Sequence, residues 1–363
     1  MIIIAGELFE NSTIVGNQYE SVEVNFGAYA EAFGGKFLRL LITADNIDML
    51  KYAAIQTTAL PCTVLGRPEG GIESILEEKF TPDGRPGAIV QLWMSENTSP
   101  GDFEYEMSAR IRQGTLVVPG TKIYDAKHPS TKISEHNLFD TMKSVGYCGD
   151  GFQETIEICN PDDMIKVPVM AGDFYLSRFL TVGDGISGGN LWFYINDERP
   201  VREVMSELWE NALLAVYNTD GAIAPFGICS AGSKPGSIMA EKLEGTPEGD
   251  AYKTIGPTTN HLYCPTIKDR VPESMVPEGI VSIPEIVIDG VNMESVKSAM
   301  LNVIYAVQDI NGLVAVSAGD YDGELGKYKI YLEDLFLNLN DRIRQAFTGP
   351  CLFNASACNP VPV

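Results

Sequence analysis

The chain has 363 residues, 45% of them apolar, enough to bury one large core or two smaller ones. Asp plus Glu number 49 against 26 Lys plus Arg, and the net charge of −23 sets the chain against nucleic acid and anionic membranes as partners. No apolar run reaches the roughly 18 residues that a membrane span needs, and MIIIAGELFE has no basic region of a signal peptide, so a soluble cytoplasmic protein is expected.

Seven scattered cysteines without a CxxC pair, and only three histidines, read as free thiols rather than a disulfide frame or a metal site.

KFLRLLITA (36–44) is the first clear strand. A helix follows over 45–60, with Ile47, Leu50 and Ala54 at helical spacing and Asp45 or Asn46 as its cap. A short strand is expected at Thr63–Leu65. The turn TPDGRPG (81–87) then leads into the strand GAIVQLWMS (87–95). A helix over 101–113 and a strand at TLVVPG (115–120) complete a β-α-β-β-α-β order. Residues 160–180 supply extra strands.

The second half repeats that order. GNLWFYIND (189–197) is a strand, and 198–217 is a helix whose stripe includes Val204, Leu208, Ala212 and Val216. AIAPFGI (222–228) is the next strand, before a long irregular insertion over 229–280. VSIPEIVIDG (281–290) follows, then a helix over 293–309 capped by Asn292 or Asp289, and the strands GLVAVSAG (312–319) and KYKIYLED (327–334).

The fold class is therefore α+β, with two ferredoxin-like lobes in one chain. The expected division is an N-terminal extension (1–24), a first lobe (25–147), a second lobe (148–336) carrying the insertion, and a C-terminal extension (337–363).

Glu285 is out of place in this pattern. Alternation puts it on the same face as Ile283 and Val287. Pro284 allows an exposed edge strand, in which case the carboxylate is merely solvated. A buried carboxyl would instead point to chemistry.

Gly185-Ile186-Ser187-Gly188-Gly189 fits the GxSxG pattern of serine hydrolases, but a strand follows it where that pattern needs a helix. A glycine-rich turn in close backbone approach is the better reading. AGSKPGS (231–237) offers backbone N–H groups and Lys234 to an anionic ligand. GDG (149–151) and the glycine-rich stretch 319–329 are further sites of close approach.

Nine segments carry a resemblance in order from about 29 to 336: AEAF, LLITA, TPDGRPG, GDGFQ, GGN, SAGSKPGS, TTN with YCPT, EIVIDG and VSAGDYDGELGKYKI. The chain resembles the formylmethanofuran–tetrahydromethanopterin formyltransferase family. That resemblance implies two ferredoxin-like lobes, a cytoplasmic enzyme of one-carbon metabolism, and a salt-responsive homodimer or tetramer. It implies formylmethanofuran and tetrahydromethanopterin as substrates, with no metal or tightly bound prosthetic group.

The family's catalytic glutamate carries over to Glu285. By motif position, Asp150, Gln153, Ser233, Lys234, Asn260 and Tyr263 carry over as substrate-binding residues. The implied reaction is direct transfer in a ternary complex, with a buried, protonated glutamate stabilising the oxyanion. The chain departs from the family pattern at Pro225-Phe226-Gly227-Ile228, at His261 and at Glu324. These departures leave a paralogue of altered or lost activity as the alternative.

Overall fold

A computed structural model describes residues 12–15, 22–59, 68–145, 150–156, 163–230, 245–247, 261–320, 323 and 326–337. The first described strands, β1 (Ser12–Val15) and β2 (Val22–Asn25), form an antiparallel pair.

The first lobe is built from β3 (Tyr29–Thr43), α1 (Ile47–Thr58), β4 (Glu69–Leu76), β5 (Gly87–Ser95), α2 (Pro100–Arg110) and β6 (Lys122–Asp125). Its sheet runs β6-β3-β5-β4, all antiparallel. Both helices start at side-chain caps: Asn46 accepts the N–H of Met49, and Ser99 that of Asp102. Leu38, Leu40 and Ile42 alternate onto the helix face and bury against Leu50, Ala54, Phe103 and Met107.

The strand expected at Thr63–Leu65 lies outside the described residues, and the next described strand is Glu69–Leu76. Two glycines and two carboxylates disguise that strand. Glu69 and Glu73 are buried because they meet protein partners at the lobe seam rather than water.

One expectation fails in this lobe: TLVVPG is not a strand. The backbone continues past α2 as a π-helical turn over Ile111–Thr115, and β6 begins only at Lys122. Thr115 hydrogen-bonds Thr57 at 2.7 Å, and a Cβ on Gly114 would lie 2.5 Å from Thr57 Cα. Packing against α1 thus overrides the β propensity of Leu116, Val117 and Val118.

Then come β7 (Lys132–Asp140), α3 (Thr141–Ser144), β8 (Glu154–Ile156), β9 (Met164–Val169) and β10 (Gly172–Ser177). They widen the sheet, with β10 parallel to β6.

The next strand, β11 (Phe179–Asn196), is common to both lobes. Val182 to Ser187 pair with Leu38 to Phe33 of β3. Residues beyond the bulge at Ser187-Gly188 belong to the second lobe. The glycine-rich run is therefore the middle of a strand rather than a turn before one.

The second lobe continues with α4 (Val201–Tyr217), β12 (Ala222–Ile223), β13 (Ile228–Cys229), β14 (Ile280–Ser282), β15 (Glu285–Gly290), α5 (Met293–Val307) and β16 (Leu313–Ser317). AIAPFGI is two short strands around a turn, because Pro225 cannot donate and Gly227 takes φ +60°. Pro284 likewise separates β14 from β15, so Glu285 opens its strand rather than sitting mid-strand.

The sheet order is β16-β11-β15 with β12 and β13 outermost. Leu191, Phe193 and Ile195 bury against Val204, Leu208 and Val216 of α4 and Met300 and Ile304 of α5. Asn292, rather than Asp289, caps α5 by accepting the N–H of Ser295. From the chain's start, β2 returns to this lobe, parallel to β16.

The last described elements are β17 (Tyr328–Tyr331), against β3, and α6 (Leu332–Phe336). The strand expected over KYKIYLED therefore stops at Tyr331. There Leu332 N–H turns to Ala28 O at 3.0 Å.

The lobes meet through the sheet faces that carry no helices. Phe37 and Trp93 stack at 4.5 Å and pack with Ile223 and Val291. Arg39 holds Glu73 with two hydrogen bonds of 2.7 and 2.6 Å, and Gly221 N–H of the second lobe donates to Glu73 at 3.1 Å. Gln91 adds a donor at 2.7 Å. This buried pair is well satisfied, the condition under which such pairs survive desolvation.

Candidate active site

Alternation sends Leu191, Phe193 and Ile195 to the helices, so Asn190, Trp192 and Tyr194 line the opposite face of the second sheet. Glu285 lies beside Trp192 on β15, and Ser317 flanks Trp192 on β16. Cross-strand neighbours share a face, so these five side chains form one polar patch in an aromatic setting.

Glu285 is 4% exposed. Its strand is central, with β11 on one side and β13 on the other, so the exposed-edge reading of Pro284 does not hold. Pro284 keeps its acceptor in use: Phe193 N–H donates to its carbonyl at 3.0 Å.

Two donors meet on one oxygen of Glu285. Asn190 Nδ2 lies 2.9 Å and Trp192 Nε1 3.3 Å from Oε1. Asn190 is itself oriented, because its Oδ1 accepts Gly319 N–H at 3.2 Å. That bond turns the amide's NH2 toward the glutamate.

Tyr263 packs edge-on against Trp192 with ring centroids 5.1 Å apart. Ile283, Ile280 and Val314 complete an apolar surround. Burial pushes the Tyr194 phenol well above its ordinary range, despite a hydrogen bond with Ser317, so it stays a neutral group. Asn25 of β2 reaches Ser317 at 3.2 Å.

Of the residues singled out in the sequence, Glu285 and Tyr263 converge on Trp192. Asp150 and Gln153 do not join them. They precede β8 in the added strands, where Asp150 is exposed with φ +50° and Gln153 Oε1 is buried without a hydrogen bond among the described residues. Ser233, Lys234 and Asn260 lie outside the described residues.

Asn190, Trp192, Tyr194 and Ser317 escaped the sequence reading as site residues. The signal for the first three is the strict alternation of NLWFYI once its apolar partners are assigned to the helices. Ser187 is no nucleophile elbow: strand runs through it on both sides, and its hydroxyl bonds Asp289. Among the described residues, no group of three or more His, Cys, Asp or Glu is placed to hold a metal ion.

TPDGRPG is a structural clamp. Arg85 reaches Asp83 at 2.8 Å, Asp45 at 2.6 Å and Thr43 at 2.9 Å, tying the ends of β3 and β5 together. Burial raises the Asp83 carboxyl, but Arg85, Thr43 and Lys122 outweigh it and hold the group below its ordinary value.

A family model described as formylmethanofuran-tetrahydromethanopterin formyltransferase matches residues 18–169, and one described as FTR, proximal lobe, matches residues 172–335. A formyltransferase-like protein of Archaeoglobus fulgidus is 44% identical over 308 residues, 85% of this chain and 94% of that protein. The formyltransferase of Methanothermobacter thermautotrophicus is 35% identical over 311 residues, 85% of this chain and 96% of its own.

Among solved structures, the Methanosarcina barkeri formyltransferase superposes with a TM-score of 0.73 at 31% identity, covering 88% of this chain and 100% of that one. A chain of the Methylorubrum extorquens formyltransferase/hydrolase complex with methylofuran gives 0.72 at 29% identity, covering 89% and 99%. The chain belongs to the formylmethanofuran–tetrahydromethanopterin formyltransferase family.

Proposed function

We propose that this chain transfers a formyl group between formylmethanofuran and tetrahydromethanopterin, with both bound together, and that Glu285 is the catalytic acid. The carrying observation is the buried Glu285 carboxyl with two donors gathered on Oε1. Those donors leave the proton of the neutral acid to Oε2. Burial disfavours the carboxylate, while the two donors favour it, so the neutral form depends on further exclusion of water by substrate.

In this reading the acceptor's ring nitrogen attacks the formyl carbon, and the carbonyl oxygen becomes an oxyanion. The Glu285 O–H donates to that oxyanion. The tetrahedral species then collapses, the bond to the methanofuran nitrogen breaks, and that nitrogen takes up the proton lost by the attacking one. No covalent enzyme intermediate is formed, and alignment of the two substrates supplies much of the rate. Ser233, Lys234, Asn260, Tyr263, Asp150 and Gln153 are assigned to substrate binding. Both coenzymes act as substrates, and the enzyme is placed in the cytoplasm as a homo-oligomer.

The test is formyl-tetrahydromethanopterin formation, followed by absorbance with both purified coenzymes. Glu285→Gln keeps the shape but replaces the acidic O–H with a far less acidic amide N–H, a weaker donor to the oxyanion. It is expected to lower kcat by about 10²-fold or more with unchanged circular dichroism. Full turnover in that variant removes Glu285 from the mechanism.

A second reading has its own observation. The relatives at 40–44% identity are named formyltransferase-like, while those named formyltransferase stand at 34–36%. A paralogue with altered specificity would bind one coenzyme and give no transfer in the same assay.

A further inference from the structure

The bulge in β11 leaves Gly188 N–H outside the strand ladder, and Asp289 Oδ1 accepts it at 3.1 Å. The Ser187 hydroxyl donates to the same carboxyl, and Glu69 of the first lobe also hydrogen-bonds it. Asp289 is fully buried, and Glu69 is 5% exposed. Two carboxylates are acceptors only, so a hydrogen bond between them requires a proton on one. Ionising both would place like charges together in a poorly solvated seam.

We propose that Glu69 and Asp289 share one proton across the lobe seam, and that Asp289 is a positioning residue which holds the Ser187-Gly188 bulge so that Asn190 reaches Glu285. The positioning role rests on the formyltransferase reading; the shared proton does not. The charged groups on β15 and the elements packed against it are Glu285, Asp184 on β11, Glu294 and Lys297 on α5, and Glu69 and Glu73 on β4. Of these, only Glu69 hydrogen-bonds Asp289. Glu73 is committed to Arg39.

Burial pushes the Asp289 carboxyl up to about 6, against the opposing pull of its hydrogen bonds with Glu69, Ser187 and Gly188. The native state therefore binds this proton more tightly than the unfolded chain, where an aspartate titrates near about 3.9. The stability this Asp289 proton contributes is complete below that value and is lost as pH rises through about 6, which leaves the pair with the one proton that Glu69 donates to Asp289.

Urea midpoints of wild type, Glu69→Gln and Asp289→Asn at about pH 4.5 and about pH 7.5 decide the shared proton. Each amide supplies a permanent donor. Both variants are expected to gain on the wild type between the two pH values. The same pH dependence in all three proteins overturns the pair. Transfer kinetics decide the positioning role. Asp289→Ala is expected to lower kcat at least about tenfold with KM values within about threefold, and Asp289→Asn, which can still accept Gly188 N–H, to restore most of the loss.

Unchanged kcat in the alanine variant, or a loss confined to KM, overturns that role. If the alanine variant does not fold, partial loss of kcat in Asp289→Ser, which keeps a shorter acceptor, takes its place, and wild-type kcat there counts against positioning. A wild type without transfer activity overturns the formyltransferase reading, while the Glu69→Gln midpoints still decide the proton.

Discussion

Glu285 shows how far one side chain's meaning depends on its neighbours. Its identity and its strand are visible in VSIPEIVIDG, but its burial is not. Asn190 is the residue that gives its carboxyl a defined orientation, with one end of the amide on Gly319 N–H and the other on Glu285 Oε1. Asn190→Ala removes both bonds inside a buried patch. The expected cost is about 1–3 kcal/mol in stability, with a fall in kcat of at least about tenfold. Urea unfolding and the transfer assay read these separately. Lost stability with wild-type kcat would show that the amide does not orient the acid. Trp192 and Tyr194 were hidden for a plain reason: aromatic residues in a strand are more often core than site.

The element that organises the molecule is β11. One half pairs with β3 of the first lobe and the other with β15 and β16 of the second. Its glycines permit that double duty by allowing close packing on both sides. A Cβ on Gly189 would lie 2.4 Å from Val296 Cγ1, and one on Gly185 2.5 Å from Trp93 Cη2. Gly188 adopts φ +95°, a region L side chains rarely enter. Gly189→Ala is therefore expected to destabilise by about 1–3 kcal/mol through overpacking against α5. An unchanged urea midpoint would mean that α5 can withdraw without cost. The sequence announced the run as Gly-rich and suited to close approach. It did not announce a continuous strand, because glycine has little β propensity and the pairing that holds it is long-range.

At the scale of the whole molecule, the two lobes are joined by a seam of mixed character. Apolar contact at Phe37, Trp93, Ile223 and Val291 lies among the Arg39–Glu73 ion pair and the Glu69–Asp289 carboxyls. Glu73 takes Arg39 and Gln91 from the first lobe and Gly221 N–H from the second. Glu73→Ala leaves the guanidinium buried and unpaired, and about 3–5 kcal/mol should be lost. Urea unfolding checks this, and a change below about 1 kcal/mol would mean that water or Asp220, 3.7 Å from Arg39, replaces the glutamate. Glu69 and Glu73 hid β4 in the sequence, since acids in a short segment suggest a solvated loop.

The sequence by itself determined the α+β class, the doubled β-α-β-β-α-β order, the main helices with two candidate caps each for α1 and α5, and Glu285 as the residue to watch. These are local properties: periodicity, capping chemistry and motif order act over a few residues or in simple succession. Tertiary structure alone decided that TLVVPG turns rather than extends, that EGGIESIL is a strand, and that β11 spans both lobes. It also decided which acids are buried together. Those outcomes depend on contacts between residues distant in the chain, as when Glu69 meets Asp289 and Asn190 meets Glu285. Burial and hydrogen-bonding at such meetings belong to the pair, so neither partner's own segment carries the information.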